Sequence, residues 1–566
     1  MPCAPPRGAG RRAYPGWGRR DGPGRRVPAW ALLYNRSPPM RIVLVNWARI
    51  WHGASVGGGV NGYAQSLALA LRDLGHEVVS LCAGTAYRQD ARGGACHIRR
   101  HPDWLKIPVY EVFNSPVRAP SHLQFDDPEG EIAHPELERQ VGDLFAWLRP
   151  DVVHFQNIEG LTAGCIHAAK PAGARVVYSL HNYHTICPQV YLMQGRVLPC
   201  RDFDNGHNCV NCPSKFDPPG KPKPGKQTEN LPKRPGQAQR PEPLPGVVVE
   251  SAGAVDREMV LAVPDRRGAT LRILGQDAGA PKPPVPLENT PTPEPMSDRP
   301  PNAYATRRAA MIDALNACDR VLAVSRFVAE KFCAMGVERE RVQTLTIGTR
   351  MAELAAQSPG AVRPPPPRQD RHDGGLLKLL FLGFHNPYKG LPLLADAIES
   401  LGPETLERIH LCVHAAGAKS IETRFRRIES RLGRLTYSGA YQYEDVPWII
   451  GGVDIGVVPS VWWDNGPQTV MEMLACGVPV LGAELGGIPD FIEDGVNGLL
   501  FRGADASDLA DKIRTLVEDP GLVDRLRSGV RPPKSMSEHV GEIVSLYGAV
   551  AGGEALPKGA GVGPGA

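Results

Sequence analysis

The chain predicts an α/β protein of two parallel-sheet domains facing each other across a cleft. Three observations predict it. Short apolar strands alternate with helical periodicity in two blocks, residues 40–216 continued by 302–360, and residues 376–531. A glycine run follows the first strand of the first block, and a loop bearing two carboxylates follows a late strand of the second. Open α/β sheets bind ligands at the carboxyl ends of their strands, which is where both loops fall.

The elements are justified in order. Residues 1–39 carry eight arginines against one acid, Asp21, among repeated Pro and Gly that would break a helix. The simpler expectation is that Met40 is the real start; a disordered basic tail is the alternative. Ile42–Val45 reads as a strand, Gly57-Gly58-Gly59-Val60-Asn61-Gly62 as a loop, and Tyr63–Leu74 as a helix with Leu67, Leu71 and Leu74 at core spacing. Glycines here let backbone approach a phosphate or sugar, although G-x-G-x-x-G spacing is missing. Further strands are read at Asp151–Phe155 and Val176–Leu180. His154 reads as an ordinary strand-end histidine. His181 stands where a strand end should face the cleft, with His184 as a second candidate.

Cys187, Cys200, Cys209 and Cys212 follow. One C-x2-C knuckle and two upstream cysteines make a possible four-thiolate structural zinc site; the alternative is four reduced thiols in a loop. The other eight of twelve cysteines are scattered, as expected for reduced thiols in a cytoplasmic protein. Residues 217–301 turn to Pro, Gly, Lys and Glu and read as a mostly disordered insertion, with a brief hairpin at Val247–Val249 and Thr270–Leu274. Helical periodicity resumes at Tyr304–Ala317, a strand follows at Arg320, and residues 361–375 read as a linker.

The second domain opens with a strand, Leu376–Leu382, and a loop through Lys389-Gly390, where a lysine could offset diphosphate charge. Strands at Ile409–Val413 and Leu435–Tyr437 precede the run Val453–Val458. Asn465-Gly466-Pro467 then sets a helix start and Gly477 ends it, about three turns apart. Val470, Met473 and Leu474 form the core stripe, while Gln468 and Glu472, four apart, share another face. Asp464 lies eight positions before Glu472. Two carboxylates and a helix N-terminus, with the N–H groups of Gln468 and Thr469, suit the hydroxyls and the anion of a sugar nucleotide. The plainer reading is a capping Asp464 and a solvated Glu472. Asp505–Glu518 and Ser537–Tyr547 read as helices, and residues 549–566 as a flexible tail.

Asp464 through Glu472 resembles the acidic motif of glycosyltransferase family 4, with Asp464 in place of the first glutamate. The Gly-Gly loop, the Gly75-His76-Glu77-Val78 sequence, Lys389-Gly390 and the segments Glu484–Asp490 and Asp494–Leu500 are similar to that family as well. His181-Asn182, Cys187-Pro188 and the later paired cysteines resemble one subgroup of it. The resemblance covers roughly 40–216 and 302–548 and implies a GT-B fold and a retaining transfer of sugar from a nucleotide diphosphate to an acceptor hydroxyl. It also implies work in polysaccharide or glycolipid synthesis, a saccharide or lipid-linked acceptor, and peripheral contact with the inner membrane face. By the same resemblance His181 orients the donor sugar, Asp464 binds its hydroxyls and Glu472 binds the ribose. Lys389, the start of the helix at Gly466, Pro467, Gln468 and Thr469, and the loop of Gly58 and Gly59 would hold the donor, and Tyr441 lies in the loop that meets the base. No cofactor is needed for that chemistry. Phe384 occupies the family's arginine position, leaving Arg326 or His385 as substitutes, and residues 532–548 would return to the first domain.

A net charge of +4 over 566 residues, with no basic stripe bearing interleaved aromatics, argues against nucleic acid as the main partner. No apolar run approaches the length of a membrane span. A sugar-nucleotide epimerase on the same fold and a non-catalytic carbohydrate- or partner-binding protein are the rival readings.

Overall fold

The computed structural model describes residues 38–87, 94–194, 198–212, 247–249, 259–260, 289, 297–358, 362, 365–366, 370, 374–384, 386–416, 419–439 and 441–552. The expected tail at 1–37, most of the 217–301 insertion with its Thr270–Leu274 arm, much of the 361–375 linker, His385 and residues 553–566 lie outside these residues, while 549–552, expected in the flexible tail, continue the last helix.

The strands of the first domain are β1 (Arg41–Val45), β2 (Glu77–Tyr87), β3 (His97–Trp104), β4 (Ile107–Phe113), β5 (Val152–Phe155) and β6 (Arg175–Leu180). The pair β7 (Met193–Gln194) and β8 (Leu198–Pro199) forms a separate ribbon. Then come β9 (Val247–Val249), β10 (Met259–Val260), β11 (Arg320–Ala323) and β12 (Val342–Thr344). The main sheet runs β12-β11-β6-β5-β1-β2-β4-β3-β9, with β10 beside β2. Its central strands are parallel: Val43 lies opposite both Val79 and Val153, and Val321 opposite Tyr178. The β3–β4 hairpin is antiparallel.

The second domain has β13 (Leu377–Phe384), β14 (Ile409–Ala416), β15 (Arg434–Ser438), β16 (Ile455–Val458), β17 (Val480–Ala483) and β18 (Gly498–Phe501). They form a parallel sheet in the order β15-β14-β13-β16-β17-β18. Near-continuous apolar runs, as in Leu377–Leu382, are what a parallel strand covered on both faces requires, and Leu377, Leu379 and Leu380 are fully buried.

Four helices reach the cleft: α1 (Gly58–Asp73), α2 (Arg326–Ala334), α3 (Gln468–Ala475) and α4 (Met536–Gly552). Helix α1 begins five residues earlier than its periodicity suggests, so Gly58 and Gly59 form its first turn. Gly57 is left-handed at φ 82. The cause is Asn61, whose side chain accepts from Asn46 Nδ2 at 2.8 Å and donates to the carbonyls of Arg49, Gly53 and Val56, fastening the helix start to the preceding loop. Ser325 caps α2 by accepting from the Val328 N–H. Helix α3 spans eight residues, shorter than the expected three turns, and Pro467 stands at its N-cap.

The domains meet through aromatic side chains. Trp463 is 1% exposed, with Phe327 of α2 at 5.7 Å between ring centroids and the Lys331 ammonium 4.8 Å from its ring. Trp462 meets Tyr191 at 4.8 Å and Tyr183 at 6.3 Å. Burying one such indole contributes at most about 4–6 kcal/mol. Helix α4 then packs on the first domain: His539 Nε2 bonds the Tyr63 hydroxyl at 2.7 Å, and the Tyr547 hydroxyl bonds His154 Nδ1 at 2.6 Å. Among the described residues no helix is long and apolar enough to cross a membrane.

Candidate functional site

On the second-domain wall, β16 ends at Val458 and the chain turns through Ser460 to Asp464. Asp464 is buried, and its Oδ2 accepts from Lys389 Nζ at 2.6 Å and Ser460 Oγ at 3.2 Å. Lys389 reaches it from a 3₁₀ turn at the end of β13, where the Asn386 side chain accepts from the Tyr388 N–H. Gly390 closes that turn at φ 77, and a Cβ there would collide with the Pro459 carbonyl, so glycine is required twice over. The ammonium also lies 5.5 Å from the Trp462 ring.

In the second turn of α3, Glu472 is buried as well, correcting the alternative of a solvated side chain. Burial pushes its carboxyl up to about 7, against the opposing charge of Lys389. Among the described residues no hydrogen bond reaches the Glu472 carboxylate. The phenols of Tyr441 and Tyr443 are pushed up by burial and, to a lesser extent, by the Glu472 charge. At the start of α3, Gln468 Nε2 donates across the cleft to the Gly59 carbonyl at 3.4 Å, and Gly466 packs against Val324. Thr469 follows Gln468 in the first turn of α3.

On the first-domain wall, His181 follows β6. Its Nε2 bonds Gln156 Oε1 at 2.9 Å, and its ring lies 4.7 Å from that of Tyr63. Burial pushes the imidazole down to about 3, so it meets a ligand as a neutral hydrogen-bonding group. His154 is a buried structural residue held by Tyr547 and Ser179. His184 is no cleft residue: it is buried against Arg307 at 3.0 Å beside the Arg307–Glu131 ion pair. Arg326, one of the two residues named as substitutes for the arginine that Phe384 replaces, pairs with Asp490 at 3.1 Å.

Several polar atoms at this place had no signal in the sequence. The Tyr183 hydroxyl, both amide atoms of Asn465 and the indole nitrogens of Trp462 and Trp463 are buried with no partner among the described residues. Tyr183 feels the charge of Asp464, so these orphaned groups gather around the first acid. Buried polar groups are ordinarily satisfied, and a cluster of exceptions points to a ligand that satisfies them. Only Asn465 and the tryptophans lie in the quoted motif; the convergence of Tyr183 depends on how the domains meet.

The four cysteines, Cys187, Cys200, Cys209 and Cys212, line one small cavity on the first domain. Among the described residues no group of three or more His, Cys, Asp and Glu is already arranged to hold a metal ion.

Comparison with known proteins gives two family matches. Residues 58–204 match the glycosyl transferase 4-like domain, and residues 377–519 match glycosyl transferases group 1. The D-inositol 3-phosphate glycosyltransferase of Streptomyces bingchenggensis is 31% identical over 160 residues, 26% of this chain and 35% of that protein. The one from Corynebacterium efficiens is 30% identical over 155 residues, 26% of this chain and 36% of that protein. The chain thus spans about a third of the length of these curated relatives. A crystal structure of a glycosyltransferase from Rickettsia africae covers 91% of this chain and 99% of its own at 12% identity, with a TM-score of 0.50, a likeness of fold alone. The chain therefore carries a glycosyl transferase 4-like domain and a group 1 glycosyl transferase domain, joined in the GT-B fold.

Proposed function

We propose that this chain is a retaining glycosyltransferase that moves a sugar from a nucleotide diphosphate donor to a hydroxyl of a saccharide or lipid-linked acceptor. Its setting would be cell-surface polysaccharide or glycolipid synthesis on the cytoplasmic side of the membrane. One observation supports this above the others: Lys389, Asp464 and Glu472 gather at the carboxyl ends of β13 and β16, while Gln468 touches Gly59 on the opposite wall.

The Lys389–Asp464 contact is what a donor would divide. Its diphosphate draws the ammonium, and the released carboxylate accepts a sugar hydroxyl, with the Tyr183 hydroxyl and the Asn465 amide at hand for others. Charge developing on the departing diphosphate is then stabilised by Lys389 and by the N–H groups of Gln468 and Thr469, pre-positioned at the start of α3. Glu472 takes the ribose, Tyr441 flanks the base, and neutral His181 orients the sugar from the other wall. No protein nucleophile is assigned.

The test is a panel of nucleotide sugars screened for thermal stabilisation, followed by transfer assays. Acceptors would include saccharides, lipid-linked saccharides and a cyclitol phosphate of the kind named for the curated relatives. One donor should stabilise the protein and yield nucleoside diphosphate with transfer. A bound donor that no acceptor discharges, and that is not hydrolysed, would make the chain a binding protein; an epimerised sugar released without acceptor would make it an epimerase.

A further inference from the structure

Four cysteines drawn from 26 residues of sequence surround one cavity of about 20 Å³. Cys187 lies in the turns after His181, Cys200 follows the β7–β8 ribbon, and Cys209 and Cys212 lie at and just after the short helix His207–Val210. The Cys212 N–H donates to the Cys209 carbonyl at 3.0 Å, closing the C-x2-C turn that presents two sulfurs to one point.

The Cys200 thiol donates to the Asp202 carbonyl at 3.6 Å and the Cys212 thiol to the Met193 carbonyl at 3.4 Å, contacts a metal ion would replace. Gln189 Nε2 donates to Cys212 Sγ at 3.5 Å, and the backbone N–H groups of Gln189 and Leu192 face the Cys187 sulfur. Arg308 lines the same cavity, its guanidinium 3.3 Å from the centre of the Phe203 ring. Four thiolates around a divalent ion carry a net charge of −2, which a fixed guanidinium partly offsets. Among the described residues no carboxylate or imidazole lines the cavity, so the candidate ligands are the four soft thiols, and soft tetrahedral sites select zinc among abundant divalent ions.

We propose that Cys187, Cys200, Cys209 and Cys212 bind one structural zinc ion in the cavity they line. Zinc–sulfur bonds of about 2.3 Å require neighbouring sulfurs about 3.8 Å apart. Binding releases the thiol protons to solvent and leaves the oxidation states of sulfur and zinc unchanged. The ion would brace a segment with two strands of two residues each and little apolar core of its own. That segment also carries Tyr191, whose hydroxyl accepts from Asn386 Nδ2 at 3.2 Å and whose ring packs on Tyr388 and Trp462 beside the cleft.

The experiment uses the full chain, produced in zinc-supplemented medium and purified without chelator. Elemental analysis should find about one zinc per chain, and cobalt substitution should give thiolate charge-transfer and tetrahedral ligand-field bands. The double variant Cys209→Ser/Cys212→Ser should bind cobalt at least tenfold more weakly and be cleaved sooner by protease between residues 187 and 212, whereas Cys333→Ser should match wild type on both counts. Wild-type protein that takes up neither zinc nor cobalt would overturn the site, as would a Cys209–Cys212 disulfide persisting under reducing conditions. Should the double variant fail to fold, the wild-type cobalt spectrum decides alone: one bound metal without thiolate bands would overturn the ligand set.

Discussion

The two acids of the 464–472 stretch are buried to nearly the same depth, 4% and 6% exposed, and meet opposite surroundings. Asp464, in the loop, has an ammonium at 2.6 Å and a hydroxyl at 3.2 Å. Glu472, in the helix, has no such contact and answers burial by holding its proton up to about pH 7. One acid is neutralised by a counter-charge, the other by protonation. A ligand therefore has to part an ion pair at the Asp464 end and to bond a carboxyl that holds its proton up to about pH 7 at the Glu472 end. Polar ligands with an anion and several hydroxyls can do both.

The strongest way to break this comparison is Lys389→Ala. It removes the proposed leaving-group cation and leaves Asp464 buried without its counter-charge, so kcat should fall about 10²–10³-fold, the range seen when one electrostatic stabiliser of a developing anion is removed. Initial rates of nucleoside diphosphate release measure it. Wild-type turnover would show that Lys389 serves Asp464 alone.

Glu472→Gln tests the other end through stability. In the folded chain Glu472 holds its proton up to about pH 7, whereas its ordinary value is 4.5. Its contribution is therefore fully present below about pH 4.5 and is lost as pH rises through about 7. At 1.36 kcal/mol per pH unit the loss reaches about 3 kcal/mol above pH 8. The glutamine variant carries no such penalty, so its denaturation midpoint should exceed that of ligand-free wild type at pH 8 and converge with it toward pH 4.5. Glu472→Ala, which removes the ribose acceptor altogether, should weaken nucleotide binding by about 1–3 kcal/mol. A stability difference that does not vary with pH would refute the buried proton.

How much of this was legible in the sequence follows from how local each feature is. Asp464 and Glu472 are eight residues apart in one strand–loop–helix unit, so their joint placement at a strand end could be read from spacing. Lys389 came from the same logic, a basic residue between β13 and its helix. The β3–β4 hairpin was not read, because its first strand, HIRRHPDW, offers no apolar run. The earlier start of α1 depends on the Asn61 side chain, whose hydrogen bonds to the preceding loop periodicity does not report. Tyr183, Asn465 and Trp462 acquire meaning only when the domains meet, a contact between residues more than 270 positions apart.

Asp464→Glu sharpens the comparison by giving both ends the same side chain. The pocket is closed by the Gly487 N–H, which donates to the Asp464 carbonyl at 2.6 Å, and by Gly486, which packs against the Asp464 backbone. An added methylene there forces a shift worth about 1–3 kcal/mol. The cost should fall on the sugar: kcat/KM should change unevenly across donors that differ in sugar hydroxyls, while affinity for the bare nucleoside diphosphate stays within about threefold of wild type, less than about 0.7 kcal/mol. An equal loss for every donor would assign Asp464 to structure.

The smallest effect is expected from Ser460→Ala, and it separates the two partners of Asp464. Ser460 Oγ donates to the same oxygen, Oδ2, that accepts from Lys389, so the hydroxyl and the ammonium share one acceptor. Deleting the hydroxyl removes a buried hydrogen bond to a charged group, at a cost of about 1.5–3 kcal/mol if nothing compensated. Here the ammonium remains, and its pull on the carboxylate grows as the competing donor leaves, so the net loss of stability should be about 1 kcal/mol or less. A donor diphosphate that draws Lys389 away removes that compensation. The variant should therefore lose more donor affinity than ligand-free stability, and isothermal titration set beside denaturant unfolding reads both. Equal losses in the two measurements would mean that Lys389 never leaves Asp464, and the exchange of partners proposed for donor binding would fall with it.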